Sequence, residues 1–132
     1  AIANNKADSM AMYNFAAFLY NQGRFKEALK QMQLVSEDLG YERRPQAFYI
    51  LGLAQRKTGQ MEEALESFEK ATQLTPGFAP PFIEAAEIYF EQQKLPIAKR
   101  ALDQYVFLAQ PTPKSLWLAV RIEDYFGNLS RN

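Results

Sequence analysis

The sequence predicts an all-α fold, a right-handed superhelical solenoid of antiparallel helix pairs with about seven helices, and three observations carry that prediction. The chain matches itself at a step of 34 residues, pairing Phe48 with Phe82, Gly52 with Ala86 and Ala64 with Ala98. Small residues recur where two helices of a pair would meet, and glycine recurs where the pair would turn, at Gly23, Gly59 and Gly127. Prolines stand at the unit boundaries, with Pro113 falling two steps after Pro45 and Pro76 closing the unit between them. Going backward from Gly59 the step lengthens to 36, and SEDLGYERRP, with Gly40 and Pro45, supplies a loop for the two additional residues.

In chain order, the first helices of successive pairs are predicted near residues 9–22, 45–58, 79–92 and 113–126, and the second helices near 25–39, 61–74 and 96–109. Asp8 and Thr112 suit N-caps, because a short side-chain oxygen there accepts from free amides of the first turn. Pro96 and Pro113 suit first helical positions, where a missing N–H costs nothing. Gly59 tolerates a positive φ and ends a first helix in a short turn. Pro76 ends a second helix, since it lacks an amide hydrogen and restricts Thr75. Gly52 and Ala64 allow two facing backbones to approach, with Leu51 and Phe68 filling the wedge between helices. The organisation that follows is a single solenoid over residues 1–132, with repeats near 9–44, 45–78 and 79–112 and the first helix of a fourth at 113–127.

The unit containing Phe48, Leu51, Gly52, Gly59, Ala64, Phe68, Ala71 and a closing Pro76 resembles the tetratricopeptide repeat, a stacking pair of antiparallel helices. Both ends look cut within a repeat. Ala1 stands where a preceding repeat would have its last small packing residue, and the chain stops at GNLSRN where a partner for the 113–126 helix should begin. The apolar residues Leu116, Trp117, Leu118, Val120 and Ile122 cover more than one face of that last helix, so some are expected to seek another surface. The chain begins AIANNKADS without Met, so it is read as a piece of a longer product, with any export or anchoring signal upstream.

Composition narrows the function classes. The 15 Lys plus Arg balance 15 Asp plus Glu without a basic block, so nucleic acid is not an expected partner. There is no Cys and no His, which removes thiolate and imidazole metal ligands, cysteine nucleophiles and the usual general base near neutral pH. Glu84, Glu87 and Glu91 share two turns of one predicted helix, but without His they read as a solvated or ion-paired surface. No Gly-rich phosphate loop and no serine elbow occurs. The prediction is a non-catalytic scaffold with no metal, no cofactor and no catalytic residue. No apolar run approaches the ~20 residues that span a bilayer, so no direct membrane insertion is expected of this segment.

In such a solenoid the first helices line the concave face. The repeat step places three rows there: Tyr13, Tyr49, Ile83 and Trp117; Ala17, Leu53, Glu87 and Arg121; Tyr20, Arg56, Phe90 and Asp124. An aromatic and apolar groove with scattered charges of both signs suits a peptide or strand anchored by apolar side chains. The expected protein-binding residues are Tyr13, Tyr20, Tyr49, Leu53, Arg56, Ile83, Phe90, Trp117 and Arg121. A clamp for a C-terminal carboxylate is not expected, because Tyr13, Ala17 and Ile50 occupy positions where it needs polar residues. Phe48, Phe68, Phe82 and Leu102 read as core, whereas for Tyr13, Tyr49, Ile83 and Trp117 packing and ligand contact both remain open.

Three longer words, residues 12–29 (MYNFAAFLYNQGRFKEAL), 78–93 (FAPPFIEAAEIYFEQQ) and 111–128 (PTPKSLWLAVRIEDYFGN), resemble the pilotin lipoproteins of type IV pilus biogenesis. SLWLAVRI is the most telling, because the generic repeat does not require Trp117, Arg121 and Ile122 together. The resemblance implies a lipoprotein at the periplasmic face of the outer membrane that binds the pilus secretin subunit and promotes its localisation and assembly. The lipid-bearing Cys, the early repeats and the final helical region of that pattern are absent from these residues, so the anchor is expected upstream in the parent protein. The alternatives are a generic repeat adaptor for another peptide, or a regulatory domain of a larger enzyme.

Overall fold

The computed structural model describes residues 6–131, with side chains described over 8–127, and among them there are seven α-helices and no strand. They are α1 (Lys6–Asn21), α2 (Phe25–Ser36), α3 (Arg44–Lys57), α4 (Met61–Leu74), α5 (Pro80–Glu91), α6 (Leu95–Leu108) and α7 (Pro113–Arg131). The chain divides into two compact units at Pro76/Gly77. In the first, α1 packs on α2, α2 on α3 and α3 on α4; in the second, α5 packs on α6 and α7 on both. The expectation placed on Ala1 lies outside the described residues, as do the side chains of residues 128–132.

One turn is used three times. Gly23, Gly59 and Gln93 each follow a first helix with positive φ, at 80°, 84° and 62°. In each case the next amide reaches back five residues: Arg24 N to Leu19 O at 2.9 Å, Gln60 N to Gln55 O at 2.8 Å, and Lys94 N to Tyr89 O at 2.9 Å. This is the Schellman closure, which satisfies late carbonyls of one helix and starts the next within two residues. The following helices need no side-chain N-cap, and Arg24, Gln60 and Lys94 provide none.

The first unit is built around Ala16, Leu19, Ala28, Met32, Val35, Leu51, Ala64 and Phe68, all at most 2% exposed. Gly52 of α3 faces Phe68 of α4. A Cβ there would stand 2.5 Å from Phe68 Cε1, so the ring occupies the space that glycine leaves. Beside it the buried Ser67 hydroxyl donates to Gln55 Oε1 at 2.6 Å, satisfying two polar groups in the interior at once. In the second unit Ile83, Ala86, Leu95, Ala98, Leu102, Tyr105, Leu118 and Ile122 form the core, with Phe82 half-buried against it.

Four element boundaries depart from the sequence expectation. Asp8 is not an N-cap, because α1 already runs from Lys6 and Asp8 lies in its first turn. Helix α2 stops at Ser36, three residues before the expected 39. Glu37 N and Asp38 N turn back to Leu34 O and Val35 O, Gly40 N donates to Asp38 Oδ1 at 3.1 Å, and Tyr41 tucks inside at 5% exposure. The Ser9 hydroxyl donates to Asp38 Oδ2, and Arg44 Nε to Ser36 O at 2.6 Å, holding this loop between α1 and α3. Pro96 occupies the second position of α6, which begins at Leu95. Gly127 does not turn the chain, since α7 continues through it to Arg131. A glycine permits the positive φ but does not impose it; at Gly59 the reward is the packing of α4 on α3. Thr112 does cap α7: Ser115 N donates to Thr112 Oγ1 at 3.1 Å and Thr112 N to Ser115 Oγ at 2.9 Å.

Candidate functional site

The residues expected to bind a partner divide between the two units. In the first, Tyr20, Tyr49, Leu53 and Arg56 are half-buried on the neighbouring helices α1 and α3. The Tyr20 ring meets Phe25 edge-on at 5.0 Å, and Tyr49 lies 6.0 Å from Phe68. Both half-buried tyrosines are seated against another ring, half-buried Phe25 for Tyr20 and buried Phe68 for Tyr49, which limits the entropic cost of a contact. Tyr13 is interior at 8% exposure. It packs 6.0 Å from Tyr41, with the Arg43 guanidinium 4.9 Å from its ring centroid. The loop that absorbs the two additional residues folds over Tyr13, so packing accounts for it.

In the second unit Ile83 is a core residue at 6% exposure, among Ala86, Leu102 and Leu118. The outward cluster is Phe90, Trp117 and Arg121. Trp117 is 51% exposed and meets Phe90 edge-on at 5.9 Å. Arg121, itself exposed, lies 5.7 Å from the Trp117 ring centroid, within cation–π range. One turn earlier, Lys114 spans two carboxylates of α5, at 3.2 Å from Glu84 and 2.9 Å from Glu87. Burial works against the Lys114 charge, but its hydrogen bonds and attraction to Glu87 and Glu84 outweigh it, and its pKa is raised. Glu84 and Glu87, which read from the sequence as a solvated or ion-paired surface, are ion-paired, and the partner of Glu84 comes from 30 residues away. Lys99 pairs with Asp103 at 3.2 Å. The bridge holds α7 against α5 and so orients Trp117 and Arg121.

These surfaces are suited to recognition. Among the described residues no three of His, Cys, Asp or Glu are grouped to hold a metal ion, and no helix is long and apolar enough to cross a membrane. Exposed aromatic edges, a stacked guanidinium and apolar neighbours are the ingredients of protein interfaces.

The helix pairs, their shared turn and the small-residue contacts define a tetratricopeptide-repeat fold, the architecture of a protein–protein interaction scaffold. Residues 19–77 match the model of the tetratricopeptide repeat. The chain is 26% identical over 126 residues to the type IV pilus assembly protein PilF of Pseudomonas aeruginosa, a match covering 96% of this chain and 50% of that protein. It thus spans about half the length of that curated relative. A solved structure of Pseudomonas aeruginosa pilF superposes with a TM-score of 0.84 at 25% identity, over 92% of this chain and 55% of the other. The Yersinia enterocolitica type III secretion chaperone SycD, solved with a peptide of the translocator YopD, shares the fold at a TM-score of 0.78 and 20% identity, over 97% and 98% of the two chains.

Proposed function

We propose that this protein is a pilotin-like factor of type IV pilus biogenesis. It binds a segment of the outer-membrane secretin subunit and promotes that subunit's localisation and assembly, working in the parent protein as a lipoprotein at the periplasmic face of the outer membrane. The observation that carries this reading is the likeness to PilF along nearly the whole chain, in sequence and in fold. That likeness includes α7, which lies beyond the 19–77 stretch that any tetratricopeptide repeat would match. The recognition surfaces in this reading are Tyr20, Tyr49, Leu53 and Arg56 in one unit and Phe90, Trp117 and Arg121 in the other. Their half-buried aromatic edges suit an extended apolar segment with at least one acidic residue for Arg121.

Trp117 is the single tryptophan and is half exposed, so it reports on its own surroundings. The test is a titration with the soluble periplasmic part of a pilus secretin lacking Trp, followed by calorimetry and by Trp117 emission. Binding heat with an emission shift, both diminished in Arg121→Ala, is the expected result. No heat would refute secretin recognition by this segment and leave an adaptor for another peptide, the reading that the SycD fold likeness also accommodates.

A further inference from the structure

The second helices of the three pairs differ on the side turned away from the core. In α6 the inner residues Leu95, Ala98, Leu102 and Tyr105 are buried, and the opposite side carries Pro96, Arg100, Asp103 and Phe107, all exposed. Their spacing of four, three and four residues sets them in one row, the spacing of a helix–helix seam. Phe107 is 85% exposed, and Ile97 flanks the Pro96 end of the row at 38%. The repeat step brings Lys26, Lys30, Gln33 and Glu37 to these positions in the first pair and Glu62, Glu66, Glu69 and Gln73 in the second, with no apolar residue among them. A following helix pair does not account for the exposure. Helix α2 is followed by α3 and α4 in its own unit, and the four equivalents on and just after it remain exposed, whereas Ser36, the equivalent of Val106, is buried. The α6 row therefore faces outward by its place in the repeat, and Val106 does not belong to it.

We propose that this row is a contact between two copies of the chain, a symmetric pair in which α6 of one copy lies antiparallel on α6 of the other. The inference stands apart from the secretin reading and from the Trp117 cluster, which belongs to α5 and α7. What specifies a second copy is that the row is its own complement when reversed. Pro96 then meets Phe107 of the other copy and Arg100 meets its Asp103, each contact made twice by symmetry. The Phe107 ring gains the flat aliphatic seat of Pro96 and Ile97. Arg100 has no ion pair among the described residues, and Asp103 pairs along its own helix through Oδ2, with Lys99 at 3.2 Å, which leaves Oδ1 for a guanidinium. Other occupants answer only part of the row. An anionic lipid surface would attract Arg100 and repel Asp103, and the acidic α4 row of another copy, with Glu62, Glu66 and Glu69, would do the same. One face of a 14-residue helix is at the small end of specific interfaces, so the pair is weak, with a dissociation constant of about 10 μM to 1 mM.

Sedimentation velocity of the whole chain, over a concentration series reaching about 1 mM, measures the association. A reversible monomer–dimer equilibrium is expected, weakened about tenfold or more by Phe107→Gln, which installs the residue that α4 has in this register. Arg100→Glu and Asp103→Arg should each be monomeric, because each sets like charges against one another. A mixture of those two variants should dimerise, since both contacts then join opposite charges, and the chain carrying both substitutions should dimerise by itself. All three positions are exposed, so circular dichroism is expected to match that of the unsubstituted chain. A chain that stays monomeric throughout the series overturns the proposal, as does a dimer indifferent to Phe107→Gln. Failure of both the mixture and the doubly substituted chain to associate overturns it as well. A dimer that Leu116→Glu or Phe15→Glu dissociates, while Phe107→Gln does not, would place the contact on α7 or α1 and exclude the α6 pair.

Discussion

Replacing Gly52 with alanine is the most informative perturbation of the helix-pair contact, because the repeats already contain its compensation. The new Cβ would lie 2.5, 2.8 and 3.0 Å from three carbons of the Phe68 ring, against an optimum near ~3.5–4.0 Å. Phe68 is 1% exposed and has nowhere to move without displacing its neighbours. Overpacking of this kind costs about 1–3 kcal/mol, and the better helix propensity of alanine returns about 1 kcal/mol. A net loss of up to about 2 kcal/mol is expected. The pairs Ala86 with Leu102 and Ala16 with Met32 indicate that alanine is accommodated when the residue in the register of Phe68 is aliphatic rather than a ring. Phe68→Leu alone should cost about 1–2 kcal/mol, through the space it empties. The double variant should then lie about 1–2 kcal/mol above the sum of the singles, a coupling well outside the usual additivity error. Urea unfolding of the four proteins, followed by far-ultraviolet circular dichroism, measures this cycle. Additivity of the two substitutions within about 0.5 kcal/mol would refute the view that glycine is present to admit the ring.

Other expectations follow from the same geometry. Gln93→Gly relieves a side chain held at φ 62° and should stabilise by about 1 kcal/mol, whereas Gly59→Ala should cost a similar amount; thermal melts distinguish them by sign. Tyr41 is buried, its hydroxyl has no hydrogen-bond partner among the described residues, and burial raises its pKa, so Tyr41→Phe should be neutral or stabilising by up to about 1 kcal/mol in the same melts. The raised Lys114 pKa means that the folded protein holds this proton more tightly than the unfolded chain does. Its contribution is complete below the ordinary lysine value of 10.5 and is lost as pH rises through the raised one. Trp117 emission should accordingly report loosening of α7 above that pH, and Lys114→Arg should postpone it.

Local chemistry repeated at a fixed step was enough to expose the helices, their order and their turns. The Gly, Ala and Phe positions of a helix pair are set by short-range geometry, and each unit restates them. The boundaries at Asp8, Ser36 and Gly127 were not legible, because each depends on what lies beside the helix rather than within it. The same limit governed the binding residues. Repeat register placed Tyr13 beside Tyr49 and Ile83 beside Trp117 as equivalents, and their sequence neighbourhoods do not distinguish them. Tertiary packing does: the loop carrying Tyr41 and Arg43 closes over Tyr13, and the core of the second unit takes in Ile83, while Lys114 reaches Glu84 and Glu87 and leaves Trp117 with Arg121 at the surface. Sequence by itself determined which residues are equivalent; the tertiary structure decided which equivalents meet solvent, because burial is a property of neighbours distant along the chain.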